Sequence, residues 1–435
     1  MLRDAYQFLV QWKNRPDKKP LVIQGARQVG KTWLMKEFGR REYQHTAYFN
    51  FESTRELHSI FKLGYDIDRI LAALNILSGT KIKAENTLII LDEIQSCPEA
   101  ITSLKYFQEN NPEYSIFAAG SLLGVAIHQG TSFPVGKVEF LTLYPLNFHE
   151  FMRAMGKIEL LHELQKGDTV LIELFHDQFT ELLKQYYFLG GMPEVVKEFA
   201  ESKDYYQARL IQHNILTAYE NDFSKHAPLS QLPRIRMVWQ SIVGQLAKEN
   251  SKFVYNVLRS GARAKDFELA IEWLKDAGLI HKAIRISKAG IPINAYADLS
   301  DFKIYLNDVG LLCAMGGLTP EIILKDNDLL IEFKGTVSEQ FILQQLVNQN
   351  YTGYYWNPEN AQSEVDFVIQ KDNLIIPIEV KSATNVKSRS LRVYHDTYQP
   401  KICIRTSLAG YQKQNWMENI PLYGFLNWLS RRSGS

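Results

Sequence analysis

One octapeptide near the N-terminus constrains this chain more than any other feature. Residues 25–32 read GARQVGKT and match G-x-x-x-x-G-K-[ST], a pattern in which a glycine-rich turn surrounds a phosphate group. The apolar run LVIQ before the turn predicts a strand, and the residues after it predict a helix. Because strand, turn and helix in this order are the context that the pattern requires, a chance glycine turn is the less economical interpretation. The sequence therefore predicts an α/β fold with a nucleotide-binding loop.

The whole octapeptide is predicted to bind ATP. Gly25 and Gly30 allow the backbone to curl so that successive amides point at phosphate oxygens, and the helix that begins near Lys31 adds the positive end of its dipole. We expect Lys31 to reach the β- and γ-phosphates and the Thr32 hydroxyl to coordinate Mg²⁺. ATP and Mg²⁺ are thus the expected cofactors. The predicted ATP contacts are Gly25, Ala26, Arg27, Gln28, Val29, Gly30, Lys31 and Thr32.

A second motif predicts the side chains that act on the bound nucleotide. Residues 88–93, LIILDE, read as an apolar strand that ends in two carboxylates. We expect Asp92 to join the Mg²⁺ shell and Glu93 to act as the base for the attacking water, although a solvated loop after a strand is the alternative. Ser121 ends another predicted strand, in the sequence FAAGS, where it could orient water near the γ-phosphate. A helix-cap or turn serine explains Ser121 equally well.

Composition and charge favour a folded protein of more than one domain and argue against a disulfide-rich or membrane protein. A chain of 435 residues exceeds what one hydrophobic core organises, so two or three domains are expected. Hydrophobic residues make up 46% and charged residues 22%, which is typical of folded soluble proteins. The three cysteines form no short motif, and no apolar run approaches the ~20 residues that span a bilayer. With no signal-peptide pattern at the N-terminus, we expect a cytoplasmic protein without disulfides or a membrane partner.

Changes of pattern along the chain predict four regions. Residues 1–147 alternate predicted strands and helices, which implies a parallel sheet. Residues 148–228 are mainly helical and are interpreted as a lid on this ATPase core. Residues 229–300 combine short predicted helices with a hairpin, an arrangement that resembles a winged helix. Residues 301–435 are predicted to form a final α/β domain.

Several motifs together resemble one family of proteins. The segments GARQVGKT, LDEIQ, FAAGS, VGKVEFLTLYPLNFHEF and FLGGMPEVV are similar in order and spacing to a family of prokaryotic AAA-type ATPases of uncharacterised role. The resemblance covers residues 20–200 and continues through FKIYLNDVGLL, EVDFVI and PIEVKSA. In this family arginine usually stands in place of Lys137, and lysine cannot form the planar fork of an arginine finger. A partner, including a second subunit of an oligomer, could supply that arginine.

The last region also resembles PD-(D/E)XK nucleases. Their core carries a glutamate on a helix, an aspartate on a strand and E-x-K on the next strand, and the corresponding residues here are Glu339, Asp366, Glu379 and Lys381. The resemblance implies a second Mg²⁺ or Mn²⁺ held by the three carboxylates, with Lys381 stabilising a water nucleophile or the phosphate charge. Side chains two apart share a strand face, so Glu364 is an alternative to Asp366 as ligand. A surface salt bridge is the alternative interpretation of E-V-K.

Local charge favours DNA as a partner. Residues 371–435 carry 10 lysines and arginines against 4 acidic residues. The winged-helix-like region adds further cations that could contact phosphates. These are Lys248, Lys252, Arg259, Arg263 and Lys265. A solvated basic face, or a surface for protein partners, is the alternative.

The sequence as a whole predicts a Mg²⁺-dependent ATPase whose nucleotide state moves a winged-helix and nuclease-like unit that contacts, and could cut, DNA. The alternative is an ATP-gated signalling or regulatory switch, in which the C-terminal fold is catalytically inert and binds protein partners. A salt-dependent affinity for DNA would separate the two. A toxin- or defence-associated ATPase is a third interpretation that the sequence leaves open.

Overall fold

The computed structural model of the protein describes residues 1–121, 123–124, 134–248, 251–324, 331–358, 363–383 and 388–431. The chain folds as two compact units. The N-terminal unit comprises residues 2–144 with 276–279, and the C-terminal unit comprises Met1, residues 145–275 and residues 280–435. In the described part of the chain, no helix is both long and apolar enough to cross a bilayer.

The N-terminal unit contains a five-stranded parallel sheet with helices between the strands. Its elements are α1 (Ala5–Lys13), β1 (Leu21–Gln24), α2 (Lys31–Glu42), β2 (His45–Asn50), α3 (Arg55–Lys62), α4 (Ile67–Ser78), β3 (Thr87–Asp92), α5 (Pro98–Asn110), β4 (Ser115–Gly120) and β5 (Glu139–Thr142). The strands lie in the order β2-β3-β4-β1-β5, and every pair is parallel. The parallel sheet predicted from the alternating pattern is therefore confirmed.

The strand order decides which loops meet. The central strands β3 and β4 are buried along their whole length, as expected for strands covered on both faces. Strand β4 pairs with β1 on one side and with β3 on the other. Because the three strands are parallel, the segments that follow them open at the same edge of the sheet. Those segments are the glycine-rich loop, the Asp92–Glu93 pair and Ser121.

The C-terminal unit combines a helical part with an eight-stranded mixed sheet. Its helices are α6 (Phe148–Ala154), α7 (Ile158–Lys166), α8 (Thr169–Leu174), α9 (His176–Leu189), α10 (Pro193–Ser202), α11 (Tyr205–His226), α12 (Leu232–Leu246), α13 (Ala264–Asp276), α14 (Val309–Met315), α15 (Pro320–Leu324), α16 (Ile331–Asn348), α17 (Arg389–Tyr398) and α18 (Phe425–Ser430). Its strands are β6 (Ile280–Ile286), β7 (Ala297–Leu306), β8 (Tyr354–Trp356), β9 (Val365–Lys371), β10 (Leu374–Val380), β11 (Ile404–Ser407), β12 (Gln412–Lys413) and β13 (Glu418–Pro421). They lie in the order β12-β13-β11-β10-β9-β8-β6-β7. The predicted helical character of residues 148–228 is found in α6 to α11, whereas their role as a lid stays a prediction.

The hairpin assigned to a winged-helix-like region belongs to this sheet. Strands β6 and β7 pair antiparallel, and the other edge of β6 pairs in parallel with β8. Strand β7 is also hydrogen-bonded to α16, because the backbone amide of Leu306 donates to Gln340 Oε1 over 3.0 Å. The predicted boundary at residue 300 therefore falls inside β7, and it is corrected here. A strand edge needs a hydrogen-bonding partner, and β8 supplies one from far along the chain. The remaining boundaries stay predictions.

The segments FLGGMP and NDVGLL, which both carry the family resemblance, meet at the buried carboxylate of Asp308. Its Oδ1 accepts from the Leu311 amide over 3.0 Å, which caps α14, and its Oδ2 accepts from the Gly191 amide over 2.6 Å. Gln344 Nε2 donates to the same Oδ2 over 3.3 Å. Burial raises the pKa of Asp308 to about 6, although these hydrogen bonds oppose the shift. The segments FLGGMP and NDVGLL thus carry a structural contact within the C-terminal unit.

Gly190→Ala is expected to lower the free energy of unfolding by about 3 kcal/mol or more. Gly190 has φ of 70°, and a Cβ there would overlap the Asp308 carboxylate. Gly244→Ala is the matched control, because a Cβ at that exposed position in α12 meets nothing within 4 Å. We expect it to stabilise the protein by up to about 1 kcal/mol, since alanine favours a helix interior. Urea denaturation would measure both, and equal stabilities would contradict the prediction.

Candidate functional site

The backbone of the glycine-rich loop adopts conformations that favour glycine. Gly25 has φ of 139° and Gly30 has φ of 93°, and Gln28 between them also has a positive φ of 64°. A Cβ at Gly25 would overlap the carbonyl oxygen of Leu143. Gly30 immediately precedes α2, so the loop leads directly into the positive end of a helix. The loop therefore has the curled backbone that phosphate binding requires.

Lys31 is buried at the centre of this loop. Its Nζ donates to the carbonyl oxygens of Gly25 and Ala26 over 2.9 Å and 2.8 Å, and to Ser121 Oγ over 3.1 Å. Burial lowers the pKa of Lys31 to about 8, and the carboxylates of Glu93 and Asp92 oppose that shift. The ammonium consequently connects the loop after β1 to Ser121, the residue that directly follows β4.

The hydroxyl and carboxylate predicted for Mg²⁺ are in direct contact. Thr32 Oγ1 donates to Asp92 Oδ2 over 2.7 Å. Tyr48, on the neighbouring strand β2, donates to the same oxygen over 2.9 Å, and burial raises the pKa of its phenol to about 12. A hydroxyl and a carboxylate are oxygen ligands that suit Mg²⁺. Tyr48 was not identified from the sequence, because the contact depends on the register of β2 against β3.

Glu93 is held in a tight turn beside the loop. It has φ of 53°, and its Oε2 accepts from Gln95 Nε2 over 2.6 Å. The other amide atom, Gln95 Oε1, is buried and has no hydrogen-bond partner among the described residues. A Cβ at Gly120 would overlap that Oε1, so the amide lies against the end of β4. Gln95 is the last residue of the LDEIQ motif, and no role was predicted for it.

Lys137 is paired with a carboxylate within the N-terminal unit. Its Nζ lies 3.0 Å from Glu109 Oε1, and 41% of the Lys137 side chain is exposed. This ion pair gives Lys137 a structural partner. The source of an arginine finger stays an open prediction.

The residues predicted for a nuclease-type centre are brought together in the C-terminal unit. Glu379 Oε1 lies 2.7 Å from Lys381 Nζ, so the side chain near the end of β10 and the one directly after that strand lie together. Asp366, on the paired strand β9, accepts from the Val380 amide over 2.7 Å. Glu339 approaches from α16, and its charge acts on both Asp366 and Glu379. We call these residues, together with Lys303, Tyr305 and Glu364, the carboxylate centre.

Lys303 and Tyr305 are members of the centre that the sequence argument missed. Lys303 is 1% exposed, contacts Glu364 and lies 3.9 Å from Glu339 Oε2. The Tyr305 hydroxyl donates to Glu339 Oε2 over 2.9 Å. Both side chains come from one face of β7, in the sequence FKIYL. A lysine in an otherwise apolar run was the available signal, since such a charge is buried only with a partner.

Burial and crowding shift the pKa values of the carboxylate centre. Burial raises the pKa of Asp366 well above its usual range, and the charges of Glu339 and Glu379 add to the effect. Burial also raises the pKa of Glu379, against the attraction of Lys381. Glu379 Oε2 is buried and has no hydrogen-bond partner among the described residues. In that same part of the chain, no three histidine, cysteine or carboxylate groups form a set that could hold a metal ion.

The cations predicted to contact DNA are mostly exposed. Lys248, Arg259, Arg263 and Lys265 are exposed, whereas Lys252 is half-buried and pairs with Asp301 over 2.5 Å. In the basic C-terminal segment, residues 384–387 and 432–435 lie outside the described part of the chain. DNA binding stays a prediction.

Together, the parallel sheet, the loop at residues 25–32 and the two carboxylates at the end of β3 define a P-loop ATPase. Family comparison agrees, since residues 17–152 match the AAA domain family. Residues 180–322 and 334–425 match two domains of unknown function, DUF8612 and DUF4143. No curated protein matches the chain.

Solved structures of archaeal proteins show distant similarity. The Walker-type ATPase of Pyrococcus abyssi is 12% identical, with a TM-score of 0.45 over 72% of this chain and 96% of that one. The Aeropyrum pernix ORC2 protein in its ADP form is 14% identical, with a TM-score of 0.34 over 70% and 90% of the two chains. The Aeropyrum pernix ORC1 protein in complex with DNA is 12% identical, with a TM-score of 0.27 over 73% and 93%. At these scores the similarity adds nothing to the assignment of the P-loop ATPase.

Proposed function

We propose that the N-terminal unit hydrolyses Mg²⁺-ATP and that its nucleotide state controls a nucleic-acid-processing centre in the C-terminal unit. The observation that carries the first part is the meeting of Lys31, Thr32, Asp92, Glu93 and Ser121 at one edge of the parallel sheet. The second part is supported by the carboxylate centre and by the exposed cations of the C-terminal unit.

In the ATPase, each residue has a role that follows from its position. Lys31 and the loop amides neutralise the β- and γ-phosphates, while Thr32 and Asp92 would hold Mg²⁺, which offsets charge on the transferred phosphoryl group. Glu93 accepts a proton from the attacking water, and the Gln95 amide fixes the direction of its carboxylate. Ser121, hydrogen-bonded to Lys31, completes the polar wall beside the γ-phosphate.

The carboxylate centre has the composition of a site for phosphodiester chemistry. Glu339, Asp366 and Glu379 carry the hard oxygen atoms that Mg²⁺ or Mn²⁺ prefers, and Glu379 Oε2 has no hydrogen-bond partner among the described residues, but in this structure the three side chains do not form a set that could hold a metal ion. A bound divalent ion would polarise a phosphate and lower the pKa of a water molecule. Lys381, paired with Glu379, would orient that water or stabilise the negative charge on the phosphate. DNA is the proposed substrate, with Lys248, Arg259, Arg263 and Lys265 contacting its backbone.

A second candidate function is an ATP-gated switch whose C-terminal unit is catalytically inert and binds protein partners. One observation favours it, because an ion pair or hydrogen bond within the protein already occupies one oxygen of each of the four carboxylates. Lys303 contacts Glu364, Lys381 contacts Glu379, and Tyr305 contacts Glu339. Each of these carboxylates therefore has a partner that the protein itself supplies.

A cleavage assay separates the two functions. Linear, forked and single-stranded labelled DNA would be incubated with the full chain and Mg²⁺ or Mn²⁺, with and without ATP. We expect cutting by the wild type, and loss of cutting in Asp366→Asn and in Lys381→Met, with ATP hydrolysis retained in both. If the wild type hydrolyses ATP and cuts none of these substrates, the nuclease proposal fails and the switch is favoured.

A further inference from the structure

Residues 276–279 belong to the N-terminal unit although they are far from the rest of it in sequence. The segment groups with residues 2–144, and its side chains Ala277 and Leu279 are buried. The chain enters the segment from α13 and leaves it into β6. A short piece of chain between two elements of the C-terminal unit is thus part of the fold of the ATPase.

The backbone of this segment lies against the nucleotide-binding loop at Gly278. Gly278 has φ of 72°, and a Cβ there would lie 3.1 Å from the backbone nitrogen of Ala26, closer than side chains normally allow. Ala26 is the second residue of the loop, and its carbonyl oxygen accepts from Lys31 Nζ over 2.8 Å. Gly278 therefore supports the first turn of the loop, at the residue that also holds Lys31.

The same segment lies against a second part of the ATP site. A Cβ at Gly124 would overlap the carbonyl oxygen of Asp276. Gly124 follows shortly after Ser121, whose Oγ accepts from Lys31 Nζ. Because both close approaches involve backbone atoms, rotation of a side chain cannot relieve them. Residues 276–279 are thus packed between the start of the loop and the chain that follows β4.

We propose that residues 276–279 position the nucleotide-binding loop and connect the ATP site to the C-terminal unit, with Gly278 as the positioning residue. The inference rests on the proposed binding of ATP by residues 25–32. Several loop amides must point at the phosphates at once, and a misplacement of about 1 Å can cost roughly 100-fold in such a site. A loop that adjusts to the phosphates moves against this segment, which continues directly into α13 and β6. The adjoining ends of α13 and β6 are therefore where the C-terminal unit first responds to ATP.

Titration of the full chain with a fluorescent, non-hydrolysable ATP analogue tests the positioning role. Gly278→Ala is expected to lower the affinity about tenfold or more, because its Cβ would displace the Ala26 backbone. Gly124→Ala is a second variant, which would displace Asp276 without touching the loop and should also lower the affinity. Gly79→Ala is the matched control, since Gly79 has φ of 63° in the same unit and a Cβ there meets nothing within 4 Å. It carries similar backbone strain and should bind the analogue like the wild type.

Hydrogen–deuterium exchange of the wild type tests the connection without any variant. Saturation with the same analogue is expected to slow exchange about tenfold at the amides of residues 277–280, with no change in α4 of the same unit. Wild-type affinity in both Gly278→Ala and Gly124→Ala would overturn the positioning role, and unchanged exchange at residues 277–280 would overturn the connection. In both cases the proposed binding of ATP stands. A wild type that does not bind the analogue would overturn the inference and the proposed function together.

Discussion

Glu93→Gln is expected to reduce ATP turnover by about 10²- to 10⁴-fold while ATP affinity stays nearly unchanged. An amide of the same shape keeps the turn and can still meet Gln95, but it cannot accept the proton of the attacking water. Lys31 and the loop backbone, which are the proposed phosphate-binding groups, are not altered. Single-turnover phosphate release would measure the rate, and titration with a fluorescent ATP analogue would measure affinity.

Glu113→Gln is the control for that variant, because Glu113 is an exposed glutamate of the same unit. It should hydrolyse ATP at the wild-type rate. Turnover by Glu93→Gln within a factor of about ten of the wild type would rule out Glu93 as the general base, since a positioned base contributes more than that.

Lys31→Met is expected to weaken ATP binding by about 3 kcal/mol, roughly 100-fold, and to abolish measurable turnover. The variant removes the buried ammonium that we propose faces the phosphates, and it retains much of the apolar stem. Nucleotide titration would measure the loss. Lys62→Met, at an exposed position at the end of α3, should bind ATP normally. Equal affinities in the two variants would contradict the role of Lys31.

Burial of Lys31 should also make the free energy of unfolding depend on pH. Its pKa is lowered from 10.5 to about 8 in the folded protein. Between those pH values the folded protein binds fewer protons than the unfolded chain, so the free energy of unfolding should rise with pH. Tyrosines and cysteines also titrate in this range, so the prediction concerns the difference between the two proteins: the wild type should gain about 3 kcal/mol relative to Lys31→Met. Urea denaturation of both proteins at pH 8 and pH 10.5 would check the sign.

The sequence predicted the parts of the molecule that a short stretch of chain determines. The loop from Gly25 to Thr32 and the Asp92–Glu93 pair are contiguous motifs, and the parallel sheet followed from alternating patterns. Glu379 and Lys381 could be placed on one face because strand side chains alternate every two residues. In each of these cases the positions of the residues follow from one short motif or from the repeating pattern of a strand or helix.

The residues that were missed depend on contacts between elements. Tyr48 reaches Asp92 only because β2 pairs with β3 in one register, and Lys303 reaches Glu364 only because the β6–β7 hairpin joins the C-terminal sheet. Hydrophobic periodicity identifies a strand but carries no information about which strand it pairs with. The hairpin was therefore placed in a separate region, and its polar side chains were left without a role.

The position of β6 and β7 has a consequence for how such proteins can be rearranged during evolution. The two strands fall within the segment that matches DUF8612, whereas Glu339, Asp366 and Glu379 fall within the segment that matches DUF4143. One sheet and one buried charge cluster are thus built from both. Recombination that exchanged either segment alone would expose a strand edge and leave Lys303 or its carboxylates without a counter-charge. The two segments therefore belong to a single folded unit, although their sequences match two separate families.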